Sequence, residues 1–453
     1  MTKGKVTKGS SSSDDSQWDA SETWPNDRIE RYQLRRLRTV VGYAASRLPF
    51  YQQRFKQAGF DPSQLKRLED FAKVPTFAKN DVLERLHKSG SFPVGMEQEQ
   101  EDLEKGAHAA LSMTSGTMGE AFFYTSRNWV RRRGLGQMRV MWWSGWRPGM
   151  RVMVLAPGWH SLSFVQNWAF ARMGADIVIP WGTFLPTFAD RCVDALLEHR
   201  PQFLYLFVPM LYAMLGECER RRLNPRQAFR SVRSILVVGE PMTPKARERL
   251  RELLGVGDIF EGAGSPEGLE GLECSFHTGH HLNIKNCYVE VLDMETGTRP
   301  VPPGERGRLV LTSLADLTAS LYIRVDLQDV AAFLPEQCPC GKTWPMIEVY
   351  GRLSDMVAIG DKRFLHYDVR RALDEIPAMV GRPFALVGGQ PSPSMRLLVE
   401  EAGPRGVVTA QALVDRLVKT FDVPAEVKFS TQLPVRWKGV KVLKEADIWE
   451  RLP

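Results

Sequence analysis

The chain is short of cysteine, has no long apolar run and carries no large excess of either charge. Six cysteines in 453 residues are too sparse for a disulfide scaffold and suit a reducing cytoplasm. No stretch approaches the roughly 18 uninterrupted apolar residues of a membrane-spanning helix. The lysines near the N-terminus are followed by no apolar segment, so no secretory signal is expected. Lys+Arg total 60 against 53 Asp+Glu, and the resulting +7 is too small to argue for nucleic acid. No fixed repeat is visible, and no Gly-Lys-Ser/Thr follows the glycine-rich stretch at 111–126, so that stretch is not a Walker A loop. What is present is a globular balance, 43% hydrophobic and 25% charged. The length suits about three domains, or one large and one small.

Residues 1–26 are polar and Ser-rich and are expected to form a disordered tail. From Asp27 a helical period places Leu34, Leu37, Val41, Ala44, Ala45 and Leu48 on one face until Pro49 interrupts it. Apolar runs at 151–157, 175–182, 202–208 and 233–240 alternate with helical stretches such as 189–200 and 244–255. That alternation predicts parallel βαβ units with ligands at the carboxyl ends of the strands. From about 284 the period becomes two, as in antiparallel strands, at 288–293, 307–314 and 330–335. After Gly351 a smaller α+β unit follows.

The most chemical segment is LSMTSGTMGEAFFYTS (111–126). Its glycines let backbone N–H groups approach phosphate oxygens, and its hydroxyls add donors. On its own such a turn is more often an ordinary loop. It is followed in order by VGEPM (238–242), DIFEGAGSPEG (258–268), YIRVDLQD (322–329) and GRLSDM (351–356). In sequence and spacing these segments resemble the phenylacetate–CoA ligase family, within the adenylate-forming enzymes that include acyl-CoA synthetases and adenylation domains. The resemblance covers about residues 30–445. It implies an α/β fold: a large N-terminal adenylate-forming domain of mixed sheets flanked by helices (27–351), and a small mobile α+β C-terminal domain (352–453).

By the same resemblance Thr114, Ser115, Gly116, Thr117 and Gly119 hold the ATP phosphates, and Glu267 ligates Mg²⁺. Glu240, Pro241, Ile259 and Phe260 bracket adenine, while Asp329 and Arg352 contact the ribose. Ser354 falls at the expected hinge. Several positions depart from the family pattern. Glu120 replaces a lysine, Ala263 and Pro266 replace a tyrosine and a threonine, and Leu327–Gln328 precede Asp329. In QLPVRWKGVKVLK (432–444) the catalytic lysine position holds Val440 between Lys438 and Lys441, and Lys441 is preferred. The implied activity is ATP-dependent acyl-adenylate formation from a carboxylic acid, then transfer to CoA. Transfer to an amine or a carrier-protein thiol, or ligand binding without turnover, are the alternatives.

Cys338-Pro339-Cys340-Gly341 resembles half of a zinc knuckle, and Cys274 with one of His277, His280 and His281 can supply the rest. The family resemblance selects His281, so Cys274, His281, Cys338 and Cys340 are the expected ligands of a structural Zn²⁺. Cys192, Cys218 and Cys287 read as small buried hydrophobes. Six tryptophans between 142 and 181 read mainly as core. His160 and the segment around it lie where the family lines its acyl pocket, which favours an aromatic acid. Arg127, Arg131, Arg132 and Arg133 read as a solvated helix face or a contact to CoA phosphate, with nucleic acid the costlier alternative. The expected partners are therefore small molecules, with neither nucleic acid nor membrane; a homodimer is compatible.

Overall fold

The computed structural model describes residues 17–78, 81, 108–113, 122–156, 160–180, 188–314, 317, 321–388, 392–401, 407–431, 433 and 442–443. Its centre is one 12-stranded mixed sheet. The strands in chain order begin with β1 (Phe77–Ala78), then a separate hairpin β2 (His108–Met113) and β3 (Phe122–Ser126). The sheet continues with β4 (Arg151–Leu155), β5 (Asp176–Val178), β6 (Phe203–Phe207), β7 (Ser234–Val238) and β8 (Asp258–Gly264). It is completed by β9 (Glu270–Glu273), β10 (His280–Leu282), β11 (Cys287–Leu292), β12 (Gly307–Ser313), β13 (Val325–Phe333) and β14 (Met346–Arg352).

The apolar runs anticipated as parallel strands are so paired. β5, β4, β6, β7 and β8 lie side by side in that order, all parallel. Their near-continuous hydrophobicity follows from helices covering both faces. Helices Ala189–His199, Val208–Arg220 and Pro244–Leu254 pack with Leu204, Leu206, Ile235 and Val237 in one core. Trp143, Trp146, Phe170, Phe203 and Tyr205 fill the core on the other face. From β8 onward the ladder turns antiparallel through β9, β10, β14, β13, β12 and β11, as the period-two pattern predicts. The N-terminal helix Asn26–Arg47 buries Leu37, Val40, Val41 and Ala44 against that half, and Pro49 opens the next helix.

The segment before that helix differs from expectation. Ala20–Thr23 is a 3₁₀ turn capped by Asp19 and closed by the Glu22 side chain, and Ser21 and Glu22 are buried. Trp344 Nε1 donates to the Ser21 carbonyl at 2.7 Å, and the Thr343 N–H donates to the Glu22 carbonyl at 2.8 Å. Arg139 binds Asp19 and Glu22, and Lys285 binds Asp19. Residues 17–25 are thus fastened to the body rather than continuing the polar tail.

Beyond Arg352 the chain builds a second, smaller core. A hairpin of β15 (Met356–Ile359) and β16 (Lys362–Leu365) leads to β17 (Phe384–Val387), β18 (Met395–Glu400), β19 (Ala425–Ser430) and β20 (Val442–Leu443). The last four form one sheet in the order β19-β18-β17-β20. Helices His366–Leu373 and Ala410–Phe421 bury Val369, Leu373, Leu413 and Leu417 with Phe384 and Leu397. This unit rests on the large sheet through apolar packing, Leu365 and Tyr367 against Val330, Ala332 and Tyr350, and through polar contacts. Arg306 grips Asp368 at 2.8 and 3.1 Å, and Thr243 Oγ1 donates to buried Asp374 at 2.6 Å.

Candidate active site

The carboxyl ends of the parallel strands bring several predicted residues together. After β7 the chain turns at Gly239, which holds φ +90°, and a Cβ there would meet the Phe207 ring at 2.5 Å. Only glycine lets this turn pass over the end of β6, and it presents Glu240 and Pro241 next to the end of β8. After β4, buried His160 caps the helix Ser161–Arg172: its Nδ1 accepts the Leu162 N–H at 3.2 Å. The cap leaves the imidazole proton on Nε2 when the ring is neutral. The ring lies 6.4 Å from that of Phe207. His160 is thus held in place as the cap of this helix.

Two adenine candidates are placed elsewhere. Ile259 and Phe260 pair with Ile235 and Leu236 in mid-sheet and are 0% and 5% exposed, so both are core. The residues of β8 that reach the β7 turn are Gly262 to Gly264, because Val238 pairs with Gly262. A strand followed by a motif at its end naturally invites this three-residue error. Beyond Gly264, a tight turn closes with the Gly268 N–H donating to the Ser265 carbonyl at 3.1 Å, and it carries Glu267, only 2% exposed. The carboxylate expected to ligate Mg²⁺ is thus enclosed within this turn.

Asp329 and Arg352 are register partners on β13 and β14, with Arg352 Nε 3.7 Å from Asp329 Oδ1. The two motifs that carry the expected ribose residues therefore meet at one place in space. The glycine missing from the first of them has left its conformation behind. Gln328 sits at φ +63°, and Asp326 accepts from its backbone N–H at 2.8 Å and its side-chain amide at 3.0 Å. Those bonds offset a left-handed strain of about 1–2 kcal/mol.

Thr114, Ser115, Gly116, Thr117, Gly119 and Glu120 lie outside the described residues, as do Lys438, Val440 and Lys441. The hairpin around the first group is described, and Met113 pairs with Phe122. The arginine cluster divides. Arg131 and Arg132 are exposed, whereas Arg133 is 1% exposed and faces inward, so a single solvated basic face does not exist.

The expected zinc ligands do converge. One ligand atom each from Cys274, His281, Cys338 and Cys340 lies within 4.8 Å of every other. Cys274 Sγ is 3.4 Å from Cys338 Sγ, and Cys340 Sγ is 3.5 Å from His281 Nε2. The Cys274 thiol and then His281 hold the Cys340 thiol well below its ordinary value. Three sulfurs and an imidazole form a donor set that fits Zn²⁺. On the other side of the same strands is a cluster the sequence reading missed: Glu261, Glu273 and His280, all buried. Arg247 Nη2 stands 2.7 Å from Glu273 and 3.8 Å from Glu261, and His280 Nε2 is 3.3 Å from Glu261. Burial pushes the Glu273 carboxyl up, but His277 and Arg247 outweigh it and leave it below the ordinary range.

The sequence profile of the AMP-binding enzyme family matches residues 28–316. The chain belongs to that family. Among curated proteins, this AMP-binding enzyme is 26% identical over 371 residues to a phenylacetate–coenzyme A ligase of Thermus thermophilus, covering 79% of this chain and 78% of the relative. It is 24% identical over 352 residues to that of Escherichia coli, covering 75% of each. Its fold matches 2-hydroxyisobutyryl-CoA ligase in the postadenylation state at TM-score 0.83 and 24% identity, covering 95% of this chain and 92% of that one. Against the thioesterification state of the same enzyme the TM-score is 0.67 at 25% identity, covering 93% and 91%. Among the described residues no helix is long and apolar enough to cross a membrane.

Proposed function

We propose that this AMP-binding enzyme activates a carboxylic acid with ATP and passes the acyl group to CoA. The carboxylate oxygen attacks the α-phosphorus of ATP and pyrophosphate leaves; the CoA sulfur then attacks the acyl carbon and AMP leaves. The observation that carries this reading is the convergence of the Gly239–Pro241 turn, His160 and the Glu267 turn at the carboxyl ends of the parallel strands, within a family match over residues 28–316. Asp329 and Arg352 would bind the ribose, Glu240 and Pro241 the adenine, and Thr114, Ser115, Gly116, Thr117 and Gly119 the phosphates. Glu267 would hold Mg²⁺, which offsets charge on the phosphates. The mobile unit beyond Arg352 would deliver Lys441, with Lys438 as the alternative.

The acid is proposed to be aromatic, on the relatives' substrate and the Phe207 ring beside His160. The better match to the postadenylation state supports an adenylating orientation of the small unit. Cys274, His281, Cys338 and Cys340 would hold one structural Zn²⁺ that clips the β9–β10 turn to the loop before β14. A cytoplasmic location is proposed because sparse cysteines, three of them kept as thiols for that site, suit a reducing compartment.

Acid-dependent ATP–pyrophosphate exchange across a panel of aromatic and aliphatic acids tests the first step. Exchange with an arylacetic or benzoic acid, followed by acyl-CoA on adding CoA, is expected. Absence of exchange across the whole panel overturns the reading; exchange without acyl-CoA shifts the acceptor to an amine or a carrier thiol.

A further inference from the structure

The helix Arg127–Trp143 follows β3 without a break, so it is the direct continuation of the glycine-rich hairpin. Its Arg133 is buried, and its guanidinium is spent on the turn that carries Glu267. Nη1 donates to the Gly268 carbonyl at 2.8 Å and stands 3.5 Å from Glu270 Oε2. Nη2 donates to the carbonyls of Ser265 at 3.0 Å and Leu269 at 3.1 Å. Three carbonyls on one rigid fork fix the turn on both sides of Glu267, which a lysine's point charge does not reproduce.

Glu270 completes the arrangement. Its carboxylate accepts from Asn283 Nδ2 at 2.6 Å and Asn286 Nδ2 at 2.9 Å, so it is held as firmly as it holds. Gly136, one turn beyond Arg133, makes room for it: a Cβ there would lie 2.0 Å from Glu270 Oε1. A mid-helix glycine costs up to about 1 kcal/mol against alanine, and here it admits the carboxylate.

We propose that Arg133 is a positioning residue that ties the turn carrying Glu267 to the helix Arg127–Trp143, so that the Glu267 carboxylate keeps one orientation toward the metal-bound nucleotide. This rests on the role proposed above for Glu267. It also accounts for a motif that has lost its own hydroxyl at Pro266: rigidity comes from an arginine outside the motif.

The test is ATP binding to the intact protein by calorimetry, with Mg²⁺ and with EDTA, alongside CoA binding. Wild-type protein is expected to bind ATP more tightly with Mg²⁺. In Arg133→Lys and in Gly136→Ala that metal-dependent gain should fall ~10-fold or more, as for lost outer-shell partners of metal ligands. Metal-free ATP and CoA affinities should hold. Retention of the gain in either folded variant overturns the proposal, as does a parallel fall in all three affinities, which marks a merely structural role. Hydrogen exchange of the wild type needs no variant: Mg²⁺·ATP should slow Ser265–Glu270 and the helix together, and slowing of the turn alone overturns the proposal. Wild-type protein that binds no ATP overturns the proposed function itself, and this inference with it.

Discussion

Two clusters of ionisable side chains sit back to back on β9 and β10, and they solve the same problem differently. His280 and His281 are consecutive in a strand, so they point to opposite faces. The same step separates Glu273 from Cys274. On one face Glu261, Glu273 and His280 are joined by Arg247, and the chain supplies its own cation. On the other, Cys274, His281, Cys338 and Cys340 gather three thiols and an imidazole. Hard carboxylates matched to a guanidinium need nothing more, whereas soft donors from distant segments call for an ion from outside. Membership of a metal-capable group is therefore less informative than whether an arginine already stands in it.

The largest effect should come from the soft face. Purified protein is expected to hold one Zn²⁺ per chain, and Cys338→Ser or complete chelation should destabilise it by more than about 4 kcal/mol. Metal analysis beside a thermal melt checks this; an unchanged melt after full metal removal would leave the soft face with no structural metal. On the hard face, Arg247→Met should cost about 3–5 kcal/mol, because two carboxylates lose their buried cation. Urea denaturation measures that loss, and zinc content should stay at one per chain. Loss of zinc in this variant would show that the two faces are one unit.

The smallest effect tests a cation partnership that is half in water. Burial pushes the Asp19 carboxyl up, but Ser21, Arg139 and Lys285 outweigh it and hold the carboxyl far below the ordinary range. A depressed carboxylate stabilises the fold above its unfolded value of ~3.9, and the contribution fades as pH falls from there toward the folded value. Asp19→Asn should thus cost about 1 kcal/mol at neutral pH, discounted for its partial exposure. The gap to wild type should close in acid. A gap that is constant with pH would assign the effect to packing.

The parallel strands, their helices and the smaller unit after Gly351 were legible because each rests on local periodicity. Cys338 and Cys340 were legible because Cys-Pro-Cys-Gly is a compact signal, whereas His281 was selected from three histidines by the family resemblance alone. Arg247 was not, since an arginine in a helix reads as surface until the carboxylates of β8 and β9 are placed beside it. Arg133 was hidden in a run of arginines whose neighbours do face water. The docked turn at Ala20–Thr23 had a readable cue, Asp19 followed three residues later by Glu22, the pattern of a capping box. The placement of Ile259 and Phe260 failed for a different reason: the motif resemblance fixes order, but only the register with β7 fixes how far along β8 the site begins.

That docked turn has a consequence for how the molecule is made. Two of its anchors, Thr343 and Trp344, lie some 320 residues further along the chain. Among the first of the described residues to leave the ribosome, it can meet Arg139 and Lys285 earlier but lacks these two anchors until most of the described chain has been synthesised. Closing so long a loop is slow and comes late, so the turn acts as a clasp fastened after the sheet is built. Residues 17–25 therefore report on completion, and a protease that still cuts there marks chains whose large sheet has not finished folding.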